Sequence, residues 1–192
     1  MRDAMPDFAR PDAGTVLISP WEVGDHGRQR RAVDATIAQW ERAPKPAAFL
    51  SLTCFTSLDG RRVLNYAQWT DDEAHREFVR RHRPELVRGI DDAVPDIERP
   101  GLVRYRLHRS TGPVTAGRGD VVSVEVHPAD GPEQARRLAD DLADASRDAP
   151  AHLHVDIDGT RVLVLREWRD APAHVESRSF RLYRSLVHRP RW

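Results

Sequence analysis

The chain has 192 residues, of which 40% are hydrophobic and 31% charged, and its 30 basic and 30 acidic residues give a formal net charge of zero. This composition is typical of a soluble globular protein, and the charge balance gives no indication of binding to nucleic acid or to an anionic membrane. Cys54 is the only cysteine, which excludes an intramolecular disulfide and a thiolate metal site, and makes a reducing, cytoplasmic location the expectation. No apolar run approaches the length of a membrane span.

The first half of the chain predicts alternating strands and helices. Residues 1–14 contain two prolines and a glycine and are expected to form a flexible tail. A strand is predicted at 15–23, a helix at 28–43, and then two strands joined by Asp59-Gly60, a dipeptide typical of tight hairpin turns. The segment DDEAHREFVRRH predicts a second helix, PELVRGIDDAV another short one, and GLVRYRLHR a closing strand.

The second half repeats most of this order. After a linker at 110–119, DVVSVEVHP predicts a strand and GPEQARRLADDLADA a helix. AHLHVDIDG and the residues after it predict another hairpin. The remaining segment, APAHVESRSFRLYRSL, predicts a helix, which would leave this half without its last strand. The alternative is that SFRLYRSLV is itself that strand.

The two halves also agree in sequence. DGRRVLNYAQWTDDEAH (59–75) and DGTRVLVLREWRDAPAH (158–174) are identical at nine of seventeen positions without a gap. We therefore interpret the chain as a tandem duplication of a ferredoxin-like split βαβ unit, with repeat 1 at 15–109 and a degenerate repeat 2 at 120–192. Both faces of the strand after each Asp-Gly begin apolar, which favours an α+β fold in which the repeats pack as a pseudo-dimeric barrel. A further homodimer stays an open alternative.

The Asp59-Gly60 turn, the strand VLNYAQW and the following DDEAH resemble the antibiotic biosynthesis monooxygenase family of the dimeric α+β barrel superfamily. Well-described members oxygenate polyketide anthrones or related phenols to quinones with dioxygen, without metal or flavin. The resemblance implies that Asn65 and Trp69 donate hydrogen bonds to an anionic substrate oxygen and that His75 acts as base or proton shuttle. The expected substrate contacts are Ala67, Tyr66 and Phe78.

Repeat 2 departs from this pattern. Trp168 matches Trp69, but Val164 stands where repeat 1 has Asn65, so a working site is expected in repeat 1 only. Arg166, opposite Ala67 in the alignment, either fills the second cavity or pairs with an acid across the interface. A haem-degrading member would need a histidine about ten residues after the tryptophan, where this chain has Val79 and Arg178. No cofactor and no metal are expected, and His152 and His154 are expected to form a surface pair.

The resemblance therefore implies a cofactor-independent monooxygenase whose partners are a small aromatic, polyketide-like substrate and dioxygen. The charge balance and the lack of a long apolar run add the expectation of no nucleic acid and no membrane as partners. A non-catalytic ligand-binding or structural relative and a polyketide cyclase are the alternatives. Purely structural roles for Asn65, Trp69 and His75 also stay open, because the tryptophan and the histidine recur in repeat 2.

Overall fold

The computed structural model describes residues 4–112, 120–146, 150–170 and 173–188. Its elements follow in the order β1 (Thr15–Glu22), α1 (His26–Arg42), β2 (Phe49–Ser57), β3 (Arg62–Trp69), α2 (Asp72–Asp91), β4 (Val103–Thr111), β5 (Val121–Pro128), α3 (Pro132–Ala145), β6 (Ala151–Asp156), β7 (Arg161–Trp168), a short 3-10 helix (Ala173–Arg178) and β8 (Ser179–Val187). Within the described ranges, no helix is both long and apolar enough to cross a membrane.

The eight strands of the described residues form one closed antiparallel barrel in the order β1-β3-β2-β8-β5-β7-β6-β4. The last strand of each half joins the two halves, because β4 pairs with β1 and with β6, while β8 pairs with β5 and with β2. Closure leaves none of these described strands with a free edge, which removes the exposed backbone groups that an open sheet would present.

The barrel interior is an apolar core to which both halves contribute. Its buried members include Val16, Ile18, Phe55, Leu64, Val122 and Leu163. A second apolar layer lies outside the strands, where α1 and α2 cover the first half and α3 covers the second. Strands buried on both faces explain why the sequence lacks strict alternation of apolar and polar residues.

The C-terminal segment corrects one expectation from the sequence. The predicted second helix of repeat 2 is only the 3-10 turn Ala173–Arg178, and the chain then runs as the strand β8 between β2 and β5. Phe180 and Leu182 alternate into the core while Arg181 stays exposed, a period of two that suits a strand. The expectation that this half lacks its last strand is therefore wrong.

Helix α2 corrects a second expectation. It is one helix that continues through Pro84, whereas the sequence predicted two. Proline inside a helix removes a backbone hydrogen bond and costs about 3 kcal/mol. Phe78, Leu86 and Ile90 keep the same buried face on both sides of Pro84, and this packing offsets the cost.

The segment before β1 also differs from the expected flexible tail, because residues 4–14 are docked against the barrel. Phe8 is 2% exposed, and its ring lies 5.1 Å from that of Tyr66 and 4.8 Å from that of His152. The Gln68 side chain donates to the backbone oxygen of Asp7 at 2.8 Å. At the predicted linker, residues 110 and 111 belong to β4, and 113–119 lie outside the described residues.

Phe8→Ala tests whether this segment is part of the core. Truncation of a buried phenylalanine typically costs 3–5 kcal/mol, so we expect a loss of about 3 kcal/mol in the free energy of unfolding. Urea denaturation of the variant and the parent measures it. Asp12→Asn is the matched control, because Asp12 forms an exposed ion pair with Arg10 and such pairs contribute about 0–1 kcal/mol. Equal stability of Phe8→Ala and parent would restore the flexible-tail interpretation.

Candidate functional site

A cavity of about 190 Å³ lies outside the barrel in the first half, between the sheet and helices α1 and α2. Its walls are mainly apolar and include Leu17, Trp21, Trp40, Leu52 and Leu86. Four of the six residues singled out in the sequence line it, namely Asn65, Ala67, His75 and Phe78. The structure therefore brings most of the predicted site together on one face of β3 and the facing side of α2.

Asn65 reaches this cavity from the middle of β3 and is 7% exposed. Its side-chain oxygen accepts a hydrogen bond from the Cys54 thiol at 3.2 Å, and its amide nitrogen donates to the Ser19 backbone oxygen at 3.3 Å. These two contacts fix the orientation of the carboxamide. A primary amide carries two N–H groups, so one donor remains for a ligand in the cavity.

His75 lies in the first turns of α2, just after the N-cap Asp71, and is buried. Its Nδ1 atom lies 3.3 Å from Nη2 of Arg104 on β4. Burial first, and then the positive charge of Arg104, lower the pKa of His75 to about 4. The imidazole is therefore neutral at pH 7.

The resemblance implied that Trp69 faces the substrate, but in the structure its side chain does not face the cavity. Its side chain is fully buried, with its ring 5.1 Å from that of His75, 5.3 Å from Phe78 and 5.4 Å from Phe49. The indole N–H has no hydrogen-bond partner in the described part of the chain. Trp69 thus packs behind two residues of the cavity wall, and the structure does not place it beside Asn65 as a second donor.

Tyr66 is not a substrate contact in this structure. Neighbouring side chains of a strand point to opposite faces, so Tyr66 enters the barrel interior while Asn65 and Ala67 face the cavity. Its hydroxyl lies 3.3 Å from the Gln68 amide, and burial raises its pKa well above the usual range. The expected role of Tyr66 is therefore corrected to that of an interior residue.

Polar side chains occupy part of the equivalent surface in the second half. Glu125 pairs with Val164 in the β-ladder, as Ser19 pairs with Asn65 in the first half. Arg166 forms an ion pair with Glu125 at 2.9 Å, and the Trp168 indole donates to Ser123 at 2.9 Å. The sequence left open whether Arg166 fills the second cavity or pairs with an acid across the interface. In the structure it pairs with Glu125, an acid of its own half.

His152 and His154 are buried inside the barrel, not exposed as expected. They share the inward face of β6, where His152 contacts Ser110 and Glu167, each at 2.9 Å. Burial lowers the pKa of His154 to about 3. In the described ranges, no three histidine, cysteine, aspartate or glutamate side chains are grouped so that they could hold a metal ion.

Three arginines near the cavity were not identified from the sequence. Arg83 and Arg99 line it, and the Arg99 guanidinium stacks over Trp21 at 4.7 Å and pairs with Asp91. Arg83 has no acidic partner within the described ranges. These cations favour a ligand with negative charge. The third, Arg104, contacts His75 from β4, a strand in which arginines alternate with apolar residues.

No family model matches the chain, and no curated protein matches it either. Solved structures do share its fold. An anthrone oxidase-like protein superimposes with a TM-score of 0.65 at 12% identity, covering 90% of this chain and 93% of that one. A candidate monooxygenase from Fusobacterium nucleatum subsp. nucleatum gives 0.56 at 10% identity over 90% and 93%, and a candidate chlorite dismutase gives 0.51 at 10% over 88% and 94%. The chain thus has the α+β fold of monooxygenase-like proteins, and at these identities the likeness extends to the fold alone.

The two buried neutral histidines predict a loss of stability in mild acid. The unfolded chain protonates His75 and His154 near pH 6.5, whereas the folded protein keeps them neutral down to pH values of about 4 and 3. Because the unfolded state binds more protons, the free energy of unfolding falls as pH drops below 6.5. We expect a loss of about 2 kcal/mol per histidine between pH 7.5 and pH 5, measured by urea denaturation.

His154→Gln removes one of the two groups and should halve this pH dependence. The comparison uses the slope with pH, so a constant loss of stability in the variant does not affect it. Above pH 7.5 the difference between variant and parent should be constant, which serves as the internal control. A parent whose stability is flat between pH 7.5 and pH 5 would contradict the buried neutral state of both histidines.

Proposed function

We propose that the chain is a cofactor-independent monooxygenase of the antibiotic biosynthesis monooxygenase type, acting on a small aromatic substrate of the anthrone or phenol class. The observation that carries the proposal is the apolar cavity of the first half, into which Asn65 and His75 bring two polar groups. An apolar cavity of about 150 Å³ is known to hold benzene. A cavity of about 190 Å³ with an open mouth therefore accommodates a small aromatic ligand.

The reaction needs no redox centre in the protein if the substrate supplies the electrons. An anthrone that has lost a proton is an electron-rich anion that can reduce dioxygen directly. In the complete reaction the CH₂ carbon loses two hydrogens and gains one oxygen as a carbonyl. The second oxygen leaves as water, so four electrons pass from substrate to dioxygen. The task of the protein is to exclude water and to stabilise the anionic oxygen.

The fixed amide of Asn65 suits this task, because its orientation is set by Ser19 and Cys54 before the substrate arrives. A preorganised donor in a dry site stabilises developing charge more than the same donor in water. Phe78 and Ala67 supply apolar contacts in the same cavity, and the cations Arg83 and Arg99 favour an anionic substrate.

We also infer that the architecture is a tandem duplication arranged as a pseudo-dimer, with repeats at 15–109 and 120–192. Three observations support this: the matching order of strands, the equivalent ladder positions of Asn65 and Val164, and the reciprocal pairing of β4 and β8 with the opposite half. On this interpretation the second site has been lost, since Val164 and the Arg166–Glu125 pair occupy it.

A non-catalytic ligand-binding protein is the second candidate. The observation that favours it is Trp69, whose indole is packed in the protein instead of facing the cavity. Such a protein would bind an aromatic anion in the same cavity without consuming dioxygen. Binding that is retained without any oxygen consumption would identify this alternative.

Asn65→Val tests the catalytic proposal. Loss of a preorganised donor costs about 3–4 kcal/mol of transition-state stabilisation, so we expect turnover of an anthrone to fall by about two to three orders of magnitude. Folding should be nearly intact, because the second half carries Val164 at the equivalent position. The measurements are oxygen consumption, quinone formation and thermal unfolding.

Val164→Asn is the matched control. The same donor placed in the second half should give no gain in turnover, because the Arg166–Glu125 pair fills that site. Equal turnover by Asn65→Val and parent would remove Asn65 from the mechanism.

The absence of a cofactor requirement is a separate prediction. Oxygen consumption by the purified protein should survive a chelator and extensive gel filtration, because the substrate anion is the electron donor. Absorbance spectra and metal analysis of the same sample measure any bound group. Stoichiometric flavin, haem or iron, together with loss of activity on its removal, would overturn the prediction.

A further inference from the structure

The ion pairs around His75 restrict where its proton can lie. Arg104 is 3.3 Å from Nδ1 through its Nη2 atom. A guanidinium group only donates hydrogen bonds, so Nδ1 must present its lone pair. The remaining ring proton is then on Nε2. The described part of the chain offers Nε2 no acceptor, and His75 lines the cavity.

Asp72 does not orient His75 in the opposite way, because within the described residues the hydrogen-bond contact of Nδ1 is with Arg104 and not with Asp72. One carboxylate oxygen of Asp72 lies 2.7 Å from Nε of Arg104 as an ion pair without hydrogen-bond geometry, and the other pairs with Nη2 of Arg76 at 2.8 Å. A carboxylate that accepted a hydrogen bond from Nδ1–H would support His75 as a base, and the described part of the chain has no such contact.

We propose that Arg104 is a positioning residue that holds the imidazole of His75 in its neutral, Nε2-protonated form, so that His75 donates a hydrogen bond to the substrate oxygen instead of removing a proton. The charged groups that face His75 are Arg104 on β4 and Asp72 and Arg76 on α2, so two cations and one anion surround it. The net effect of these charges and of burial is to disfavour the imidazolium.

This inference deepens the proposed function and rests on it, because the proposed function supplies the substrate that His75 would contact. With Asn65 and His75 both donating, the cavity stabilises an anion but provides no base to form one. The substrate therefore enters already ionised, having lost its proton to water. Turnover should then follow the ionisation of the substrate itself, and substrates of higher acidity should show their rise in kcat/KM at lower pH.

The state of His75 can be measured without any activity, by long-range ¹H–¹⁵N NMR of the uniformly labelled protein. His75→Gln identifies its ring signals. In the parent at pH 7 we expect a protonated Nε2 and an unprotonated Nδ1, with no titration of His75 down to about pH 5. A protonated Nδ1, or an imidazolium at pH 7, would overturn the proposal.

Arg104→Met removes the donor and the charge while Arg76 keeps Asp72 paired. We expect the Nδ1-protonated tautomer to become populated and the titration midpoint of His75 to rise by about one pH unit. Arg104→Lys retains charge and donor and should keep the parent spectrum. Arg106→Met is the matched control, because Arg106 lies on the same strand, is exposed and does not contact His75. A spectrum of Arg104→Met identical to that of the parent would exclude the role of Arg104.

If the protein oxidises an anthrone, Arg104→Met should lower kcat by about tenfold with little change in KM, since one donor loses its fixed orientation. A pH profile of the parent that followed a group of the protein for every substrate would contradict the donor role. If no anthrone or phenol is oxidised, the monooxygenase proposal fails, while the NMR result still decides whether Arg104 sets the tautomer.

Discussion

The closure of the barrel by β4 and β8 is the constraint on which the rest of the structure depends. β4 pairs with β1 only from Val103 to Tyr105 but with β6 from Tyr105 to Thr111, and β8 likewise makes its longer ladder with β2 of the opposite half. Neither half can therefore satisfy its backbone alone. The short β1–β4 ladder sets Arg104 opposite Leu17, on the outer face of the sheet. A residue of the strand that joins the two halves therefore reaches His75 at the cavity.

The asymmetry of the two halves follows from a few side chains and from a helix that is reduced, in the described residues, to the 3-10 helix Ala173–Arg178. Helices α1 and α2 cover the first half. Their bulky residues, among them Trp40 and Phe78, keep the helices apart from the sheet, and this leaves a cavity. In the second half, α3 presents Ala135, Ala139 and Ala143 to the sheet. Small side chains let the helix approach closely, so the same layer is packed without the large aromatic walls of the first half. Where the first half has α2, the second half has only the 3-10 helix Ala173–Arg178, and the chain then continues as β8, which the barrel needs for closure.

The sequence predicts the fold better than it predicts the site, for physical reasons that differ from element to element. The barrel could be predicted from the apolar runs on both strand faces and from the Asp-Gly turns. Burial and turn geometry both leave patterns in the local sequence. The error at β8 arose because the residues after His174 favour a helix locally, while long-range pairing decides otherwise. Parity along β3 could have separated Tyr66 from Asn65 beforehand, since neighbours on a strand face opposite sides. The contact of Arg104 with His75 has no local signal, because it joins residues that only the closed barrel brings together.

The polar groups that reach the cavity share one property that limits its chemistry. Asn65, His75, Arg83 and Arg99 line it, and no acidic side chain does so among the residues that the structure describes. In a mainly apolar cavity, hydrogen-bond donors stabilise a negative charge, whereas removal of a proton needs an acceptor with suitable basicity. On the proposed function, such a site would select molecules that ionise readily in water and would then hold the anion away from solvent. The acidity of the substrate, and not a basic residue of the protein, would then determine which aromatic compounds can react.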